Sequence, residues 1–213
     1  MSFNFEKYKD HKTFKILYPL AYLLRHFVYK AKIIGRENIP EDGGFIVVCN
    51  HIHAVDPAQI EYAFKGRPIH FMGKSEFWEN PVIGPILTKL NGFPVVRGKA
   101  DLRALKYAAE LLKRGHILGI FPEGTRQKTN ELGRPKRGAA LIAREAHADI
   151  LPISICYEGK LTTHTKATMR IGELIKYESL GITEGGDSHE LNGATEVIWN
   201  AVTALWEEGV CKE

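Results

Sequence analysis

The sequence predicts a single α/β domain with a mixed, mostly parallel sheet, helices on both faces, and an added N-terminal amphipathic helix. A length of 213 residues suits one domain with a full core. After Gly35, short apolar runs alternate with helical segments, which is typical of a parallel sheet covered on both faces. Before Gly35, apolar residues recur at helical spacing instead. We therefore divide the chain into an N-terminal segment, 1–34, and an α/β domain, 35–213.

Residues 13–32 predict the N-terminal amphipathic helix. Its apolar residues are spaced three or four apart, as on one helix face: Phe14, Leu17, Ala21, Leu24 and Val28. Basic residues flank this face, a composition typical of helices that lie in an anionic membrane surface. A helix packed on the body of the domain, with lysine stems covering apolar surface, fits the same pattern. Both interpretations stay open.

The elements of the α/β domain follow in order along the chain. Strands are predicted at 45–49, 69–72, 93–96, 117–121 and 150–155, with helices at 57–64, 75–90, 101–114 and 138–147. A late strand near 168–175 follows without an intervening helix, so we expect a mixed sheet. A last helix carries an apolar stripe from Leu191 to Leu205.

Composition narrows the class of protein. Three widely spaced cysteines without a CxxC pair favour a reducing cytoplasm over a disulfide scaffold. The longest apolar stretch, 16–24, is far shorter than the roughly 20 residues of a membrane span, and no cleavable signal is evident. The net charge of +4 suggests anionic partners without deciding between nucleic acid, membrane and a phosphorylated substrate.

A histidine and an aspartate, His51 and Asp56, lie in the loop after the strand 45–49. Loops at the carboxyl ends of strands bind ligands in open α/β sheets. A turn that brings the Asp56 carboxylate onto His51 would fix the imidazole tautomer and leave the other nitrogen free to take a proton from a substrate hydroxyl. Asp56 also fits an N-cap ahead of Pro57, and one residue can serve in both ways.

A zinc site is the rival interpretation of this loop. The His51-x-His53 spacing resembles the start of the metal-binding motif in metallo-β-lactamase-type hydrolases. Val55 and Asp56 occupy the positions where that motif has aspartate and histidine. The ligand set is therefore incomplete, and we predict no metal.

Basic residues at other strand ends predict a phosphate site. Arg97 follows the strand 93–96, and Arg126 follows the strand 117–121 and a glycine turn. The guanidinium fork suits phosphate oxygens, and Lys74 is a weaker candidate for the same role. Glu123 would accept a hydrogen bond from a glycerol hydroxyl or hold Arg126. The predicted turn comprises Glu123, Gly124, Thr125 and Arg126, and a basic stretch at 127–138 follows it.

Four blocks together resemble the glycerophospholipid acyltransferase family, in particular its bacterial 1-acyl-sn-glycerol-3-phosphate acyltransferases. They are His51-x4-Asp56, Gly92-x4-Arg97, Glu123-Gly-Thr-Arg126 and the late Leu151-Pro152 strand, within residues 35–175. The resemblance implies that His51 is the general base and Asp56 its partner. It further implies that Arg97, Glu123 and Arg126 bind glycerol phosphate. His53 departs from the serine or threonine of many members.

The resemblance also implies a reaction and a location. A fatty acyl chain would pass from acyl-CoA or acyl-carrier protein to the free hydroxyl of 1-acyl-sn-glycerol-3-phosphate, giving phosphatidic acid. No cofactor, metal or covalent acyl-enzyme is expected. The enzyme would be cytoplasmic, peripheral on the anionic inner face of the cell membrane, with no nucleic-acid partner. Acylation of glycerol-3-phosphate or another lysophospholipid is the nearest alternative, and a zinc-dependent hydrolase using His51 and His53 is the distant one.

Overall fold

A computed structural model describes residues 3–7, 31–98, 101–127, 129, 131–158 and 166–208. Its strands are β1 (Ala31–Ile34), β2 (Ile46–Cys49), β3 (Ile69–Lys74), β4 (Gly92–Val95), β5 (Ile117–Ile120), β6 (Ile150–Tyr157) and β7 (Ala167–Ile171). In the described residues they form one seven-stranded sheet with the order β1-β7-β6-β2-β5-β3-β4.

Five strands run in the same direction, and two run against them. β6, β2, β5, β3 and β4 pair in parallel, whereas β7 is antiparallel to β6 and parallel to β1. The predicted mixed sheet is confirmed. The carboxyl ends of the five parallel strands meet at one edge. We call this the catalytic edge, because His51, the predicted base, follows β2 there.

Helices cover both faces of the sheet. They are α1 (Asp56–Ala63), α2 (Ile83–Lys89), α3 (Leu102–Lys113), α4 (Gly138–Ala146) and α5 (Ser188–Glu207). Every residue of β2 is buried, as expected for a central parallel strand. Its side chains alternate, so that Ile46 and Val48 join the core beneath α3, α4 and α5, while Val47 and Cys49 join the core beneath α1.

The N-terminal residues 3–7 pack at the β4 end of the sheet. Phe3 meets Trp78 and Tyr107 edge to face, with ring centroids 6.2 and 5.5 Å apart. The Tyr107 hydroxyl donates a hydrogen bond to the Lys7 carbonyl at 3.1 Å. These aromatic contacts extend the core beneath α3 toward the catalytic edge.

Two predicted elements require correction. The helix predicted at 75–90 is split into a 3-10 turn at Ser75–Trp78 and α2. Pro81 disfavours helical backbone at Asn80, whose side chain instead accepts the Val82 and Ile83 N–H groups at 2.9 and 3.0 Å.

The second correction concerns the start of the sheet. Residues 31–34 form β1, which pairs with β7, so the sheet begins before the predicted boundary at 35. This short strand forms because it pairs with β7, which is far along the chain, and no local pattern predicts it. Most of the predicted helix at 13–32 lies outside the described residues, and its last two positions belong to β1. No helix in the described ranges combines the length and apolar character that a membrane crossing needs.

Candidate active site

After β2 ends, the side chain of Asn50 takes over the hydrogen bonds that a paired strand would make with β6. Asn50 is fully buried, and its amide nitrogen donates to the Ile155 carbonyl at 2.9 Å while its oxygen accepts the Ile155 N–H at 2.8 Å. The β6 backbone is therefore satisfied although β2 has ended. The following residues are free to turn over the catalytic edge.

The predicted contact between His51 and Asp56 is present. His51 Nδ1 lies 2.8 Å from Asp56 Oδ2, and Asp56 is fully buried. The same oxygen accepts the backbone N–H groups of Ile52 and His53, each at 2.8 Å. The loop thus folds around one carboxylate oxygen, which fixes the orientation of the imidazole.

The alternative role of Asp56 as an N-cap is wrong. The N-cap position of α1 is Val55, and Asp56 is the first residue of the helix. Its carboxylate points back to the loop instead of accepting N–H groups of the first helical turn. The helix nonetheless holds this carboxylate rigidly against His51.

Tyr157 is a component of the site that sequence reasoning missed. Its hydroxyl donates to Asp56 Oδ1 at 2.5 Å, so both carboxylate oxygens have partners. Tyr157 is buried at the end of β6, the strand adjacent to β2. A tyrosine ending an apolar run was visible in the sequence, but its contact with Asp56 depends on strand order.

Replacing Tyr157 by phenylalanine is expected to lower the free energy of unfolding by about 1–3 kcal/mol, because a buried carboxylate loses a hydrogen bond. Urea denaturation measures this change. Tyr177→Phe is the matched control, since the Tyr177 hydroxyl makes only a long 3.4 Å bond to a carbonyl. Equal stability losses in the two variants would contradict the importance of the Tyr157–Asp56 bond.

Aromatic rings hold the other side of the imidazole. The Phe121 ring stacks on His51 with centroids 4.1 Å apart and an 18° interplanar angle. The Phe71 ring stacks on Phe121 at 5.7 Å and 13°. Gly119 makes room for this stack, because a Cβ at that position would overlap the Phe71 ring.

Glu123 contacts the His51 segment through its backbone. It is only 4% exposed; Oε2 accepts the His51 N–H at 3.1 Å, and Oε1 accepts the Gly133 N–H at 2.9 Å. Burial raises the pKa of this carboxyl above its usual value, and these two N–H groups partly offset that effect. The partners observed for Glu123 are these backbone N–H groups and not the predicted Arg126. The structure gives it a scaffolding contact, and contact with substrate stays a prediction.

The predicted glycine turn places cations beside this segment. Gly124 has a φ of 72°, in the left-handed region that favours glycine. Thr125 and Arg126 are exposed, and the next N–H, that of Gln127, donates to the His51 carbonyl at 2.8 Å. Lys136, from the basic stretch after the turn, lies over Gly124, with its Nζ 2.9 Å from where a Cβ would stand. Arg126 and Lys136 are therefore near the His51 loop.

The other two predicted cations lie farther along the catalytic edge. Arg97 is exposed just past β4, three strand spacings from β2, about 14 Å. Lys74 is paired with Glu76, with Nζ and Oε1 2.8 Å apart. A cavity of about 270 Å³ opens in the same region, between Phe3, Trp78 and Val96. It lies at the end of β4 and away from His51.

The zinc interpretation finds no ligand set in the part of the chain that the structure describes. No three histidine, cysteine, aspartate or glutamate side chains converge there to hold a metal ion. His51 Nδ1 faces Asp56, and His53 Nδ1 lies 3.3 Å from the Val55 N–H. The Nδ1 atom of each histidine thus has a partner within the loop.

A buried carboxylate that orients an imidazole at the catalytic edge, next to a cationic glycine turn, is an arrangement suited to general-base attack by a hydroxyl. Residues 30–156 match the family model described as Acyltransferase. This match covers more than half of the chain, and the chain belongs to the acyltransferase family.

Relatives and a solved structure agree with this assignment. The chain is 39% identical over 128 residues to the 1-acyl-sn-glycerol-3-phosphate acyltransferase of Bacillus subtilis (strain 168), covering 60% of this chain and 62% of that protein. It is 32% identical over 136 residues to the chloroplastic 1-acyl-sn-glycerol-3-phosphate acyltransferase LPAT1 of Arabidopsis thaliana, covering 62% of this chain and 38% of that protein. The matched region thus spans less than two thirds of either relative.

The fold matches that of a crystal structure. The 1-acyl-sn-glycerophosphate (LPA) acyltransferase PlsC from Thermotoga maritima superposes with a TM-score of 0.70 at 25% identity. The similarity covers 94% of this chain and 81% of that chain. It therefore includes the sheet and the elements that carry the candidate site.

Proposed function

We propose that this protein transfers a fatty acyl chain from an acyl thioester to the free hydroxyl of 1-acyl-sn-glycerol-3-phosphate, giving phosphatidic acid. The observation that carries the proposal is the 2.8 Å contact between His51 Nδ1 and the buried Asp56 carboxylate. This acceptor is the one in the names of the Bacillus and Arabidopsis relatives.

The chemistry needs one proton to move twice. Asp56 accepts the hydrogen on His51 Nδ1, which leaves Nε2 of the neutral ring to remove the proton from the acceptor hydroxyl. The hydroxyl oxygen attacks the thioester carbonyl carbon, and the carbon–sulfur bond then breaks. The leaving thiolate then receives this proton from the imidazolium, so the products are phosphatidic acid and a free thiol.

Cations at the catalytic edge support an acceptor that carries a phosphate. Arg126 and Lys136 lie beside the His51 loop, and Arg97 lies farther along the same edge. Guanidinium groups offer paired donors to phosphate oxygens, and lysine adds a point charge. An anchored phosphate would hold the glycerol hydroxyl at a fixed distance from the base, and such positioning lowers the barrier.

The acyl donor is acyl-CoA or acyl-carrier protein. Either provides a thioester, which is already activated for attack, so the proposal requires no cofactor or metal. The acceptor and product are lipids, which supports a peripheral location on the inner face of the cell membrane. The anionic membrane surface and the acyl-carrier protein are then the expected macromolecular partners, without nucleic acid.

The reaction is tested by measuring thiol release from acyl-CoA, and separately from acyl-carrier protein, with a panel of acceptors. We expect release with 1-acyl-sn-glycerol-3-phosphate, and little with monoacylglycerol, which lacks the phosphate. A preference for glycerol-3-phosphate would instead indicate that the protein acylates that acceptor, the nearest alternative. Release without any acceptor, abolished by a chelator, would contradict acyl transfer and favour a metal-dependent hydrolase.

Replacing Arg126 by alanine is expected to raise the KM for the phosphorylated acceptor about tenfold to a hundredfold, because a charged hydrogen-bond partner is lost. The KM for the thioester is expected to change little. Arg114→Ala is the matched control: Arg114 is exposed at the end of α3, away from the catalytic edge, and pairs with Glu110. An unchanged acceptor KM in Arg126→Ala would show that this residue does not hold the phosphate.

A further inference from the structure

Exposed apolar side chains are concentrated at one place on the described surface. Six large apolar residues, between 40% and 65% exposed, lie in the two chain segments that follow β3 and β4: Phe77, Val82, Ile83, Ile86, Val96 and Leu102. We call them the β4-end patch. In the described residues only Ile34 and Val197 are comparably exposed, and they lie on β1 and α5. Single exposed apolar residues are ordinary, but a cluster of six indicates a contact surface.

Local structure brings parts of the patch together. Val82 and Ile83 stand four and three residues before Ile86, which places all three on one face of α2 and its first turn. The Trp78 ring covers Gly73 of β3, and Phe77 lies beside it, with a ring carbon 4.0 Å from where a Cβ of residue 73 would stand. The Val96 N–H is bound at 3.1 Å by Asp101, the residue before Leu102.

Buried contacts keep this face turned outward. Trp78 donates a 2.9 Å hydrogen bond to the Thr88 hydroxyl, and its backbone packs against Gly84 of α2. These contacts bind the inner side of α2 to the 3-10 turn that follows β3. The apolar side chains of the outer face therefore cannot be buried by a small rotation of the helix.

The chain segments that carry the patch contain more cations than acids. Within the described residues from 74 to 106 the cations are Lys74, Lys89, Arg97, Arg103 and Lys106, and the acids are Glu76, Glu79 and Asp101. Glu76 is paired with Lys74, and Asp101 caps α3 by accepting the Ala104 N–H. Exposed apolar side chains in cation-rich segments complement the surface of an anionic bilayer, which offers acyl chains below a layer of negative headgroups.

We infer that the β4-end patch is a membrane-contact surface, in addition to the predicted helix at 13–32, and that its side chains enter the headgroup region of an anionic bilayer. The patch reaches the same edge of the sheet as His51. In the strand order, β5 and β3 lie between β2, which leads to His51, and β4. A bilayer at this surface would present an acceptor lipid to the base without its leaving the membrane. This reason for the contact rests on the proposed function, whereas the contact itself can be measured without turnover.

A fluorescent label tests the contact directly. Ile86→Cys and, as the matched control, Val197→Cys are each labelled with an environment-sensitive dye in full-length protein that carries Cys211→Ser. Ile86 and Val197 are 49% and 43% exposed on helices, and Cys49 and Cys156 are buried. On addition of phosphatidylcholine–phosphatidylglycerol vesicles containing quencher-bearing lipids, we expect quenching and a blue shift for position 86 alone. Equal responses at the two positions, or none at position 86, would overturn the inference.

Charge-matched variants provide the second arm. Ile86→Glu is expected to weaken binding to the same vesicles about tenfold or more, because a charged group enters an apolar interface. Val197→Glu is expected to bind as the unmodified protein does. Turnover of a short-chain, water-soluble acceptor should remain equal in both variants, which separates failure of the surface from failure of the proposed reaction.

Self-association is the competing outcome. A patch that joins two copies of this chain would make Ile86→Glu dissociate a dimer, measured by light scattering, and leave vesicle binding unchanged. That result would overturn the membrane inference. A monomeric protein whose vesicle binding falls in Ile86→Glu alone would support it.

Discussion

Replacing His51 by alanine is expected to lower kcat for thiol release by about 10²–10⁴-fold, because the imidazole proposed to remove the acceptor proton is lost. The fold is expected to survive. Asp56 keeps its backbone donors from Ile52 and His53 and the Tyr157 hydroxyl. Circular dichroism and urea denaturation check the fold, and steady-state kinetics with 1-acyl-sn-glycerol-3-phosphate measure kcat.

His53→Ala is the matched control for this variant. The side chain of His53 contacts the Val55 N–H, while its own backbone N–H, which alanine retains, donates to Asp56. We therefore expect kcat to fall by no more than about tenfold in His53→Ala. A metal site would require both histidines and would give equal losses. Near-normal turnover by His51→Ala would refute the assignment of the general base.

Replacing Asp56 by asparagine is expected to lower kcat by about 10³–10⁴-fold, similar to the effect of this substitution in Ser-His-Asp enzymes. The amide can turn its oxygen to the loop and its nitrogen to the Tyr157 hydroxyl, which can accept as well as donate. Most local bonds then survive. The charge that stabilises the imidazolium does not, so activity falls more than stability.

Asp56→Ala separates the two effects. Alanine leaves the donors from Ile52, His53 and Tyr157 without their buried partner, and we expect the free energy of unfolding to fall by about 3–5 kcal/mol. Asp56→Asn should cost about 1–3 kcal/mol by the same measurement. An Asp56→Asn protein that keeps kcat within tenfold of the unmodified enzyme would contradict the role given to the carboxylate.

The local sequence predicted the central pair of the site, and long-range pairing supplied the rest. His51 and Asp56 lie in one short loop, so their contact follows from a turn and a helix start. Asn50 and Tyr157 act only because β6 lies next to β2, more than a hundred residues away in the chain. A single sequence without strand order does not reveal such contacts.

The positions of the cations could likewise be predicted only in part from the sequence. The predicted parallel sheet places Lys74, Arg97 and Arg126 at one edge, because Lys74 ends a strand and the two arginines follow the carboxyl ends of theirs. Which cation meets an acid depends on the next turn of the chain. Lys74 meets Glu76 within the 3-10 turn, whereas Lys136 comes over Gly124 from a later loop. Composition and spacing alone do not distinguish these outcomes.

The stack of Phe71, Phe121 and His51 links the orientation of the His51 imidazole to the packing of the sheet. Because Gly119 leaves the space that Phe71 fills, the tilt of the imidazole depends, through two neighbouring rings, on a buried residue of β5. A different orientation of the His51 ring would therefore require repacking of Phe121 and Phe71. The exposed turn residues Thr125 and Arg126 are under no such constraint, so substitutions there can alter the surroundings of the imidazole without disturbing the core.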